Sequence, residues 1–348
     1  MNSVLETKVS VVVPVHNGGQ AFRRCLASLQ AAEPAPWEIV VVADGDSDGS
    51  WRVAEQSGAR VLRLPQAGGP ARARNRGARE ASGEVVWFVD ADVTIPPDGV
   101  GRVAAAFAAE PGVDALFGSY DDAPSEANFL SQYKNLLHHH VHQTSAEEAW
   151  TFWSGCGAVR RETFLALGGF DESYRRPCIE DIELGYRLRA AGHRIRLLKA
   201  LQVKHLKHWG VVSLLKADFL DRALPWTALI LSRGTFENDL NLKTSARVSV
   251  ALAWLLLPAL VWALAAPAAW PLPAVLGMTL LVLNRDLYRF FWRRRGPVFA
   301  AQVVPWHWLY FWYSGLAFAI GAARFRLGSG RGGQRVDGKP SEGSAHGG

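Results

Sequence analysis

The sequence predicts an α/β fold with a mostly parallel sheet, followed by C-terminal transmembrane helices. In the first part of the chain, short β-branched runs alternate with segments of helical periodicity, which is typical of parallel sheets covered by helices. Farther on, the stretch from Val248 to Asn284 contains no Asp, Glu, Lys or Arg, and a helix that spans a bilayer needs about 20 apolar residues. The 348 residues therefore divide into a polar front and an apolar back.

The predicted strands of the front part place candidate ligand-binding residues at one edge of the sheet. We predict strands at Val9–Val15, Glu38–Val42, Arg60–Leu64, Glu84–Val89 and Arg194–Leu198, and helices at Phe22–Ala32, Ser50–Ser57 and Ala71–Ala81. Ligands of such sheets bind beyond the carboxyl ends of the strands. Pro14, Asp44 and Asp90 all lie at these ends.

Acidic residues follow two of these strands. Asp46 and Asp48 are explained equally well as turn residues, whereas Asp44 ends a strand on the ligand side, which favours a functional role. The string Asp90-Ala91-Asp92 brings two carboxylates together, and these repel each other unless a cation compensates. Mg²⁺ and Mn²⁺ bind carboxylate and phosphate oxygens together, so the string predicts a metal–diphosphate site. The alternative is a helix N-cap before Pro96.

Several motifs, in order along roughly residues 8–210, resemble those of the family-2 glycosyltransferases. The motifs of the donor side are Val11–Asn17, Val41–Gly45, Ala73–Gly77 and Phe88–Asp92; those of the acceptor side are Gly155–Ala158, Gly168–Glu172 and Glu180–Leu184. The resemblance implies a GT-A fold, which is Rossmann-like, and inverting transfer of a sugar from a nucleotide diphosphate sugar. Two departures concern the nucleotide: Ala43 stands where the family often has Asp, and Asp46 where it often has Ser.

The resemblance also implies roles for individual residues. Asp181 matches the catalytic base, Asp92 and His205 match ligands of a divalent metal (Mn²⁺ or Mg²⁺), and the donor side comprises Pro14, His16, Asp44, Arg74, Asn75 and Asp90. An inverting transfer needs a carboxylate that takes the proton of the acceptor hydroxyl, and a divalent ion neutralises the leaving diphosphate. For Asp181, the alternative is a carboxylate that only stabilises the start of a helix. The His138–His142 tract is interpreted as an acceptor-side or membrane-surface helix, with no metal site.

Four parts of the chain are predicted. They are a GT-A domain at 1–210, an amphipathic membrane-interface segment at 211–243, a transmembrane region at 244–325 and a disordered tail at 326–348. Within the transmembrane region we expect two spans, at about 247–265 and 271–286, and a third span or re-entrant segment after Gly296. Basic residues after Asn284 predict an inner-membrane, multi-pass protein whose catalytic domain faces the cytoplasm.

Charge and composition define the expected partners. The net charge of +6 suggests a nucleic acid or an anionic membrane surface, and its basic residues adjoin the apolar segments without any nucleic-acid-binding motif. We therefore expect a UDP- or GDP-sugar donor, a lipid-linked or glycan acceptor, membrane lipids and no nucleic acid. Two alternatives stay open: a polyprenyl-phosphate sugar synthase, whose phosphate acceptor needs no base, and a non-catalytic GT-A scaffold of a membrane complex.

Overall fold

The computed structural model describes residues 7–234 and 243–329. Its strands are β1 (Val9–Val15), β2 (Glu38–Asp44), β3 (Arg60–Leu64), β4 (Val85–Val89), β5 (Val93–Thr94), β6 (Ala115–Tyr120), β7 (Glu148–Ala149), β8 (Cys156–Arg160) and β9 (Ile195–His205). The helices of the front part are α1 (Gly19–Gln30), α2 (Ser50–Gln56), α3 (Pro70–Glu80), α4 (Gly99–Ala109), α5 (Phe129–Thr144), α6 (Arg161–Ala166) and α7 (Glu180–Ala190). The predicted α/β fold is confirmed.

One sheet organises this part of the chain. Its strand order is β3-β2-β1-β4-β8-β6-β9-β5, with β7 paired to β9. The four strands β3, β2, β1 and β4 are parallel, as predicted, but β8 runs antiparallel to both of its neighbours, so the second half is mixed. The sequence could not reveal this, because a fully buried strand is apolar whichever way it runs.

Apolar side chains cover both faces of the sheet. Along β4, Trp87 packs into the cluster on one face and Phe88 into the cluster on the other, and both side chains are fully buried. Successive side chains of a strand point to opposite faces, so a continuous apolar run is what a strand covered on both sides requires. Burying a side chain of this size stabilises the fold by about 1.5–3 kcal/mol, and this core fixes the strand ends that carry the polar residues.

After the sheet, a continuous helical segment leads towards the apolar region. It comprises α8 (Val211–Lys216), a π-helical stretch (Ala217–Ala223) and α9 (Leu224–Arg233). On one side, Trp226 and Ile230 pack with Ile179 next to the start of α7. The predicted interface segment 211–243 is thus helical over most of its length and packs against the domain that contains the sheet, while 235–242 lie outside the described residues.

The apolar region contains α10 (Thr244–Ala265), α11 (Pro271–Leu283) and α12 (Arg285–Ser329). Within the described ranges, α10 is the one helix that is long and apolar enough by itself to cross a membrane, at 22 residues or about 33 Å. The predicted second span is not one straight helix. The 13 residues of α11 extend about 20 Å, and α11 reaches the length of a span only together with α12, from which it is bent by 65°.

The last helix also differs from the prediction. Gly296, with φ 84°, and the following Pro297 divide α12 by a kink, so the segment after Gly296 is helical and starts in a new direction. The predicted disordered tail, 326–348, begins inside α12, which continues to Ser329. Residues 330–348 lie outside the part of the chain that the structure describes.

Candidate active site

The carboxyl ends of the central strands meet at one edge of the sheet and bring the predicted site residues together. Asp44 ends β2, the Asp90–Asp92 string follows β4, and His205 ends β9. Asp181 lies in the first turn of α7. The start of α7 is connected to this edge by Arg74 of α3, which donates a hydrogen bond to Glu180. The sequence folds this way because each strand is apolar up to its last residue and polar after it.

Arg74 is the centre of this arrangement. Its guanidinium donates to Asp90 Oδ1 at 2.6 Å and to Glu180 Oε1 at 2.8 Å, and its side chain is 5% exposed. Burial opposes the charge of Arg74, but the carboxylates of Asp90 and Glu180 outweigh it and hold the pKa of Arg74 above its ordinary value. The buried guanidinium thus ties the end of β4 to the start of α7, and the expected contact of Arg74 with the donor stays a prediction.

Asp181 lies beside this ion pair. Its Oδ2 accepts hydrogen bonds from the backbone N–H and the hydroxyl of Ser154, at 3.1 and 3.2 Å. Burial raises the pKa of Asp181 above its usual range, while the hydrogen bond from Ser154 and the charges of Arg74 and Arg222 act in the opposite direction. A carboxylate whose pKa is raised towards neutrality is better suited to proton transfer than an exposed one.

Asp92 and His205 form the second part of the site. Asp92 Oδ2 lies 3.5 Å from His205 Nε2, and the N–H of Leu206 donates to the carbonyl of Asp92. On its other side, His205 Nδ1 lies 2.8 Å from Asn135 Oδ1, and its ring stacks on Tyr120 with centroids 4.5 Å apart. Burial favours the neutral form of Asp92, but His205 and Lys207 outweigh it and hold the pKa of Asp92 below its ordinary value.

This pair fits one side of a divalent metal site. Because Asn135 Oδ1 can only accept, it holds a proton on Nδ1 of His205, so in the neutral imidazole the lone pair lies on Nε2, on the side of Asp92, as second-shell groups arrange at metal-bound histidines. Among the described residues, no three His, Cys, Asp or Glu side chains converge into a complete metal-binding group. Two protein ligands suffice for an ion that is held jointly with substrate phosphates.

The polar edge continues at β1 and β2. Asp44 is buried, and its carboxylate accepts from the N–H groups of Gly68 and Gly69 at 2.8–3.1 Å, which holds the loop before α3. His16 is exposed, and its Nδ1 donates to the carbonyl of Asp44 at 2.7 Å, while Pro14 is half-buried in β1. His16 thus presents its imidazole at the mouth of the site, while Asp44 shapes the loop beneath it.

The other two acidic residues after β2 are turn residues, the simpler of the two interpretations. Asp48 accepts from the N–H and hydroxyl of Ser50 at 2.9 and 2.6 Å and from the N–H of Gly19 at 3.0 Å. Asp46 accepts from the N–H of Trp51 at 3.3 Å. Both carboxylates therefore satisfy backbone groups at the beginnings of α1 and α2.

Asn75, expected on the donor side, makes its contacts within the protein. Its side chain is buried, its Oδ1 accepts from the N–H of Phe170 at 2.8 Å, and its Nδ2 donates to the carbonyl of Phe170 and to Glu172. Both ends of the amide group are occupied, so Asn75 holds the loop before α7 in place.

We expect Asn75→Ala to lower the melting temperature without loss of nucleotide binding. The variant leaves the buried N–H and C=O of Phe170 without partners, at about 1–3 kcal/mol for each group. Thermal unfolding followed by circular dichroism measures the change. Glu172→Ala is the matched control, because Glu172 is partly exposed and touches the same amide. Equal melting temperatures for the two variants would show that the hydrogen bonds between Asn75 and Phe170 do not stabilise the fold.

The histidine tract on α5 supports the end of β6. His139 Nδ1 donates to the carbonyl of Tyr120 at 2.7 Å, and His142 Nδ1 donates to that of Gly118 at 3.1 Å. His138 differs, because its ring contacts Tyr120 and Trp153 and its Nδ1 is buried without a hydrogen-bond partner among the described residues. Two of the histidines are thus structural, and His138 faces the site from the side of Tyr120.

Sequence analysis missed the supporting residues Asn135, Tyr120 and Ser154. Each lies in an ordinary stretch of helix, strand or loop, and each acquires its role from a partner far away in sequence, as Asn135 does 70 residues before His205. Glu180 could have been found, because it forms a crowded acidic group with Asp181 and Glu183 at the start of a predicted helix.

Comparison with known families identifies the kind of domain that contains this edge of the sheet. Residues 10–168 match the sequence profile of Glycosyl transferase family 2. The chain carries a family 2 glycosyltransferase domain. Residues 137–209 also match the profile described as the N-terminal domain of galactosyltransferase, so the two matches together span the glycosyltransferase domain from β1 to the end of β9.

Curated relatives match parts of the chain. The O-antigen biosynthesis protein RfbC of Myxococcus xanthus is 31% identical over 179 residues, 48% of this chain and 13% of that protein. Validoxylamine A glucosyltransferase of Streptomyces hygroscopicus subsp. limoneus is 28% identical over 218 residues, 53% of this chain and 48% of the relative. Dolichol-phosphate mannosyltransferase of Pyrococcus furiosus is 32% identical over 117 residues, 32% of this chain and 33% of the relative. The chain thus spans less than half of each of these relatives.

A solved structure shares the fold over most of the chain. The mannosyltransferase PcManGT from Pyrobaculum calidifontis, in complex with GDP-Man and Mn²⁺, superposes with a TM-score of 0.57 at 17% sequence identity. The match covers 90% of this chain and 87% of that protein, so the C-terminal helices take part in the similarity as well as the glycosyltransferase domain.

Proposed function

We propose that the protein is a membrane-bound, metal-dependent, inverting glycosyltransferase that moves a sugar from a nucleotide diphosphate sugar to a lipid-linked or membrane-proximal acceptor. The observation that carries the proposal is the joining of two carboxylate groups by Arg74. One group, Asp90 with Asp92, adjoins His205; the other, Glu180 with Asp181, adjoins Ser154.

The donor is proposed to bind across the ends of β1, β2 and β4. Asp92 and Nε2 of His205 would hold a divalent ion, Mn²⁺ or Mg²⁺, together with the diphosphate oxygens. When bound, such an ion neutralises the negative charge that develops on the leaving nucleoside diphosphate. Asp44 and His16 line the neighbouring edge, where the nucleoside would lie.

Asp181 is proposed as the general base. As the acceptor hydroxyl attacks the anomeric carbon, Asp181 takes its proton, the new glycosidic bond forms and the bond to the diphosphate breaks. Ser154 orients the carboxylate through two hydrogen bonds, and burial raises the pKa of Asp181. Attack from the side opposite to the leaving diphosphate would invert the configuration at the anomeric carbon.

Membrane binding is supported by the outer surfaces of the C-terminal helices. Large apolar side chains are exposed along α10 and α11, among them Leu257, Val261, Leu264, Val275 and Met278. Contiguous exposed apolar surface is typical of membrane or protein contacts. Insertion of these helices into a membrane would hold the active site next to the bilayer, where a lipid-linked acceptor is concentrated.

The basic residues at the start of α12 support a cytoplasmic orientation. Arg294 pairs with Asp122 at 2.7 Å, and Arg295 donates to Gln132 at 2.7 Å, so this basic segment is attached to the glycosyltransferase domain. Basic residues that flank membrane helices are enriched on the cytoplasmic side. We therefore propose that the glycosyltransferase domain faces the cytoplasm.

Nucleotide binding by the full chain in detergent tests the donor half of the proposal. We expect UDP or GDP to bind in Mn²⁺ and to lose affinity in EDTA, and we expect Asp92→Asn to reduce affinity in Mn²⁺ by more than about tenfold, because one metal ligand is weakened. Calorimetric titration with a panel of UDP-, GDP- and dTDP-sugars measures this and identifies the donor.

Asp98→Asn is the control for this experiment. Asp98 is an exposed carboxylate that pairs with Arg102 on the surface, so its loss removes the same charge far from any proposed ligand. Unchanged affinity of Asp92→Asn in Mn²⁺ would overturn the metal assignment, and no binding of any nucleotide by the wild type would overturn the proposed function.

A further inference from the structure

A cavity of about 460 Å³ lies between α5 of the glycosyltransferase domain and the C-terminal helices. Its walls come from α5, the π-helical stretch, α9, α10 and α12, and they are mostly apolar, with Trp226, Ile230, Val250, Trp254, Phe311 and Phe318. None of Asp44, Asp90, Asp92 and Asp181 lines it. Its volume is in the range of about 300–1,000 Å³ that small-molecule sites occupy.

One end of the cavity is positively charged. Lys134 and Arg222 lie there with a single carboxylate, Asp218, so one positive charge is not compensated at this end, and Arg247 adds a second positive charge to the lining. Asp218 pairs with Lys134 and accepts from the hydroxyl of Tyr313 at 2.8 Å. Across residues 7–234 and 243–329, Arg222 has no hydrogen-bond or ion-pair partner. A half-buried guanidinium without an acceptor is suited to an anionic ligand.

The charged end adjoins the proposed acceptor side of the active site. His138, which lines the cavity, contacts Tyr120 at 4.5 Å and Trp153 at 4.8 Å between ring centroids. Tyr120 stacks on His205, and Trp153 directly precedes the serine that binds Asp181. One layer of aromatic rings thus separates the cavity from both halves of the site, and the charge of Arg222 also acts on the pKa of Asp181.

We propose that this cavity binds the lipid part of the acceptor, an amphiphile whose apolar chain lies between α9, α10 and α12 and whose phosphate or diphosphate group meets Arg222 and Lys134. The hydroxyl that attacks the donor belongs to the sugar that this lipid carries. The inference rests on the proposed function, because it assigns the acceptor of that reaction. Burial of each CH₂ group of such a chain is favourable, and a guanidinium binds phosphate oxygens in a bidentate manner.

Other occupants fit the cavity less well. A free glycan would leave the tryptophan and phenylalanine side chains of the wall without apolar contacts, and a purely apolar chain would leave Arg222 unpaired. The outer faces of α10 and α11 are themselves apolar and exposed, so a lipid can reach this region from a bilayer without crossing water.

The test measures binding of farnesyl phosphate, farnesyl diphosphate, farnesol and inorganic phosphate to the full chain in detergent. We expect one of the two anionic lipids to bind at least about tenfold more tightly than farnesol, since hydrogen bonds to charged groups are the strong ones, and inorganic phosphate to bind weakly. Comparison of the phosphate with the diphosphate identifies the group. Equal affinities for farnesol and for both anionic lipids would overturn the assignment of the charged end.

Two variants with matched controls locate the ligand. Arg222→Gln should lower the affinity for the anionic lipid by about tenfold and leave the affinity for farnesol unchanged. Lys216→Gln, at an exposed position of the same helical segment, should change neither affinity. Ala319→Trp fills the cavity from a solvent-exposed position of α12 and should abolish binding of both lipids, whereas Ala323→Trp, outside the lining, should not. Unaltered lipid binding in Ala319→Trp would place the ligand elsewhere and overturn the proposal.

Binding of nucleotide in Mn²⁺, measured on the same preparations, separates the two proposals. Normal nucleotide binding without lipid binding would refute the acceptor site and leave the proposed function standing. Lipid binding without nucleotide binding would refute the proposed function instead. Lysophosphatidylglycerol serves as competitor: equal displacement of the anionic lipid by it would identify a site for membrane phospholipid and overturn the acceptor assignment.

Discussion

Replacing Asp181 with Asn is expected to slow sugar transfer by about 10²- to 10⁴-fold, which is the usual contribution of a general base. Asn keeps the shape of the side chain and can still accept the hydrogen bonds that Ser154 donates, but it cannot take a proton. Donor affinity should stay near that of the wild type, because the proposed donor contacts lie at Asp44, Asp90 and Asp92.

The pH dependence of the wild type follows from the same carboxylate. Because burial raises the pKa of Asp181, transfer should decline on the acid side at a higher pH than an exposed aspartate, of pKa about 3.9, would give. In Asp181→Asn this acidic limb should disappear. The raised pKa also means that the folded state holds the proton more tightly than the unfolded state, so the ionised carboxylate lowers stability as pH rises through this range. The Asn variant should therefore melt no lower than the wild type near neutral pH.

Transfer rate, donor affinity and melting temperature on one preparation test this prediction. If Asp181 only stabilised the start of the helix, its replacement by Asn would lower stability by about 0.3–1 kcal/mol and leave turnover unchanged. Asp98→Asn serves as control, since Asp98 is an exposed carboxylate that pairs with Arg102 on the surface. Near-normal transfer by Asp181→Asn would remove the base assignment and favour a phosphate acceptor, as in a polyprenyl-phosphate sugar synthase.

Replacing Arg74 with Met is expected to destabilise the fold by about 3–5 kcal/mol, because it leaves two carboxylates without their shared partner. The side chain of Glu180 is 4% exposed, and burial already raises its pKa. Without Arg74, its pKa should rise further, so the variant should regain stability as the pH is lowered and Glu180 takes up a proton. At about 2–4 °C per kcal/mol for a domain of this size, the melting temperature should fall by roughly 6–20 °C.

Two further variants decide whether the buried pair is the cause. Arg74→Met combined with Glu180→Gln should be more stable than Arg74→Met alone, because the unpaired buried charge is gone. Arg76→Met, two residues along the same helix, removes an exposed pair with Glu80 and should cost no more than about 0.5 kcal/mol. Equal melting temperatures for Arg74→Met and Arg76→Met would show that the ion pairs of Arg74 contribute no more to stability than an exposed pair does.

The strand ends were predictable because they follow from local pattern. The structure places β1 and β3 at the predicted bounds, and Asp44, Asp90 and His205 at the predicted edge. A fully apolar run that stops at a polar residue identifies both a buried strand and the position of its end. The division of the chain into an α/β front and an apolar back was predictable for the same reason.

The roles of Arg74 and Asn75 were not predictable in this way. Their partners Glu180 and Phe170 lie 106 and 95 residues away, so no local pattern distinguishes a side chain that holds the site together from one that faces a ligand. The bend between α11 and α12 was not predictable either, because the composition of two consecutive helices does not indicate the angle between them. The cavity beside Arg222 depends on that bend and on the packing of α9, and thus on tertiary structure alone.

The configuration of the product at the anomeric carbon shows directly whether the sugar is transferred by a single displacement, which the proposed mechanism requires. The measurement uses the donor identified by titration, membranes that contain the full chain, and NMR of the anomeric proton in the isolated product. We expect inversion, so that an α-linked donor gives a β-linked product. A product that retains the α configuration would contradict the proposed mechanism.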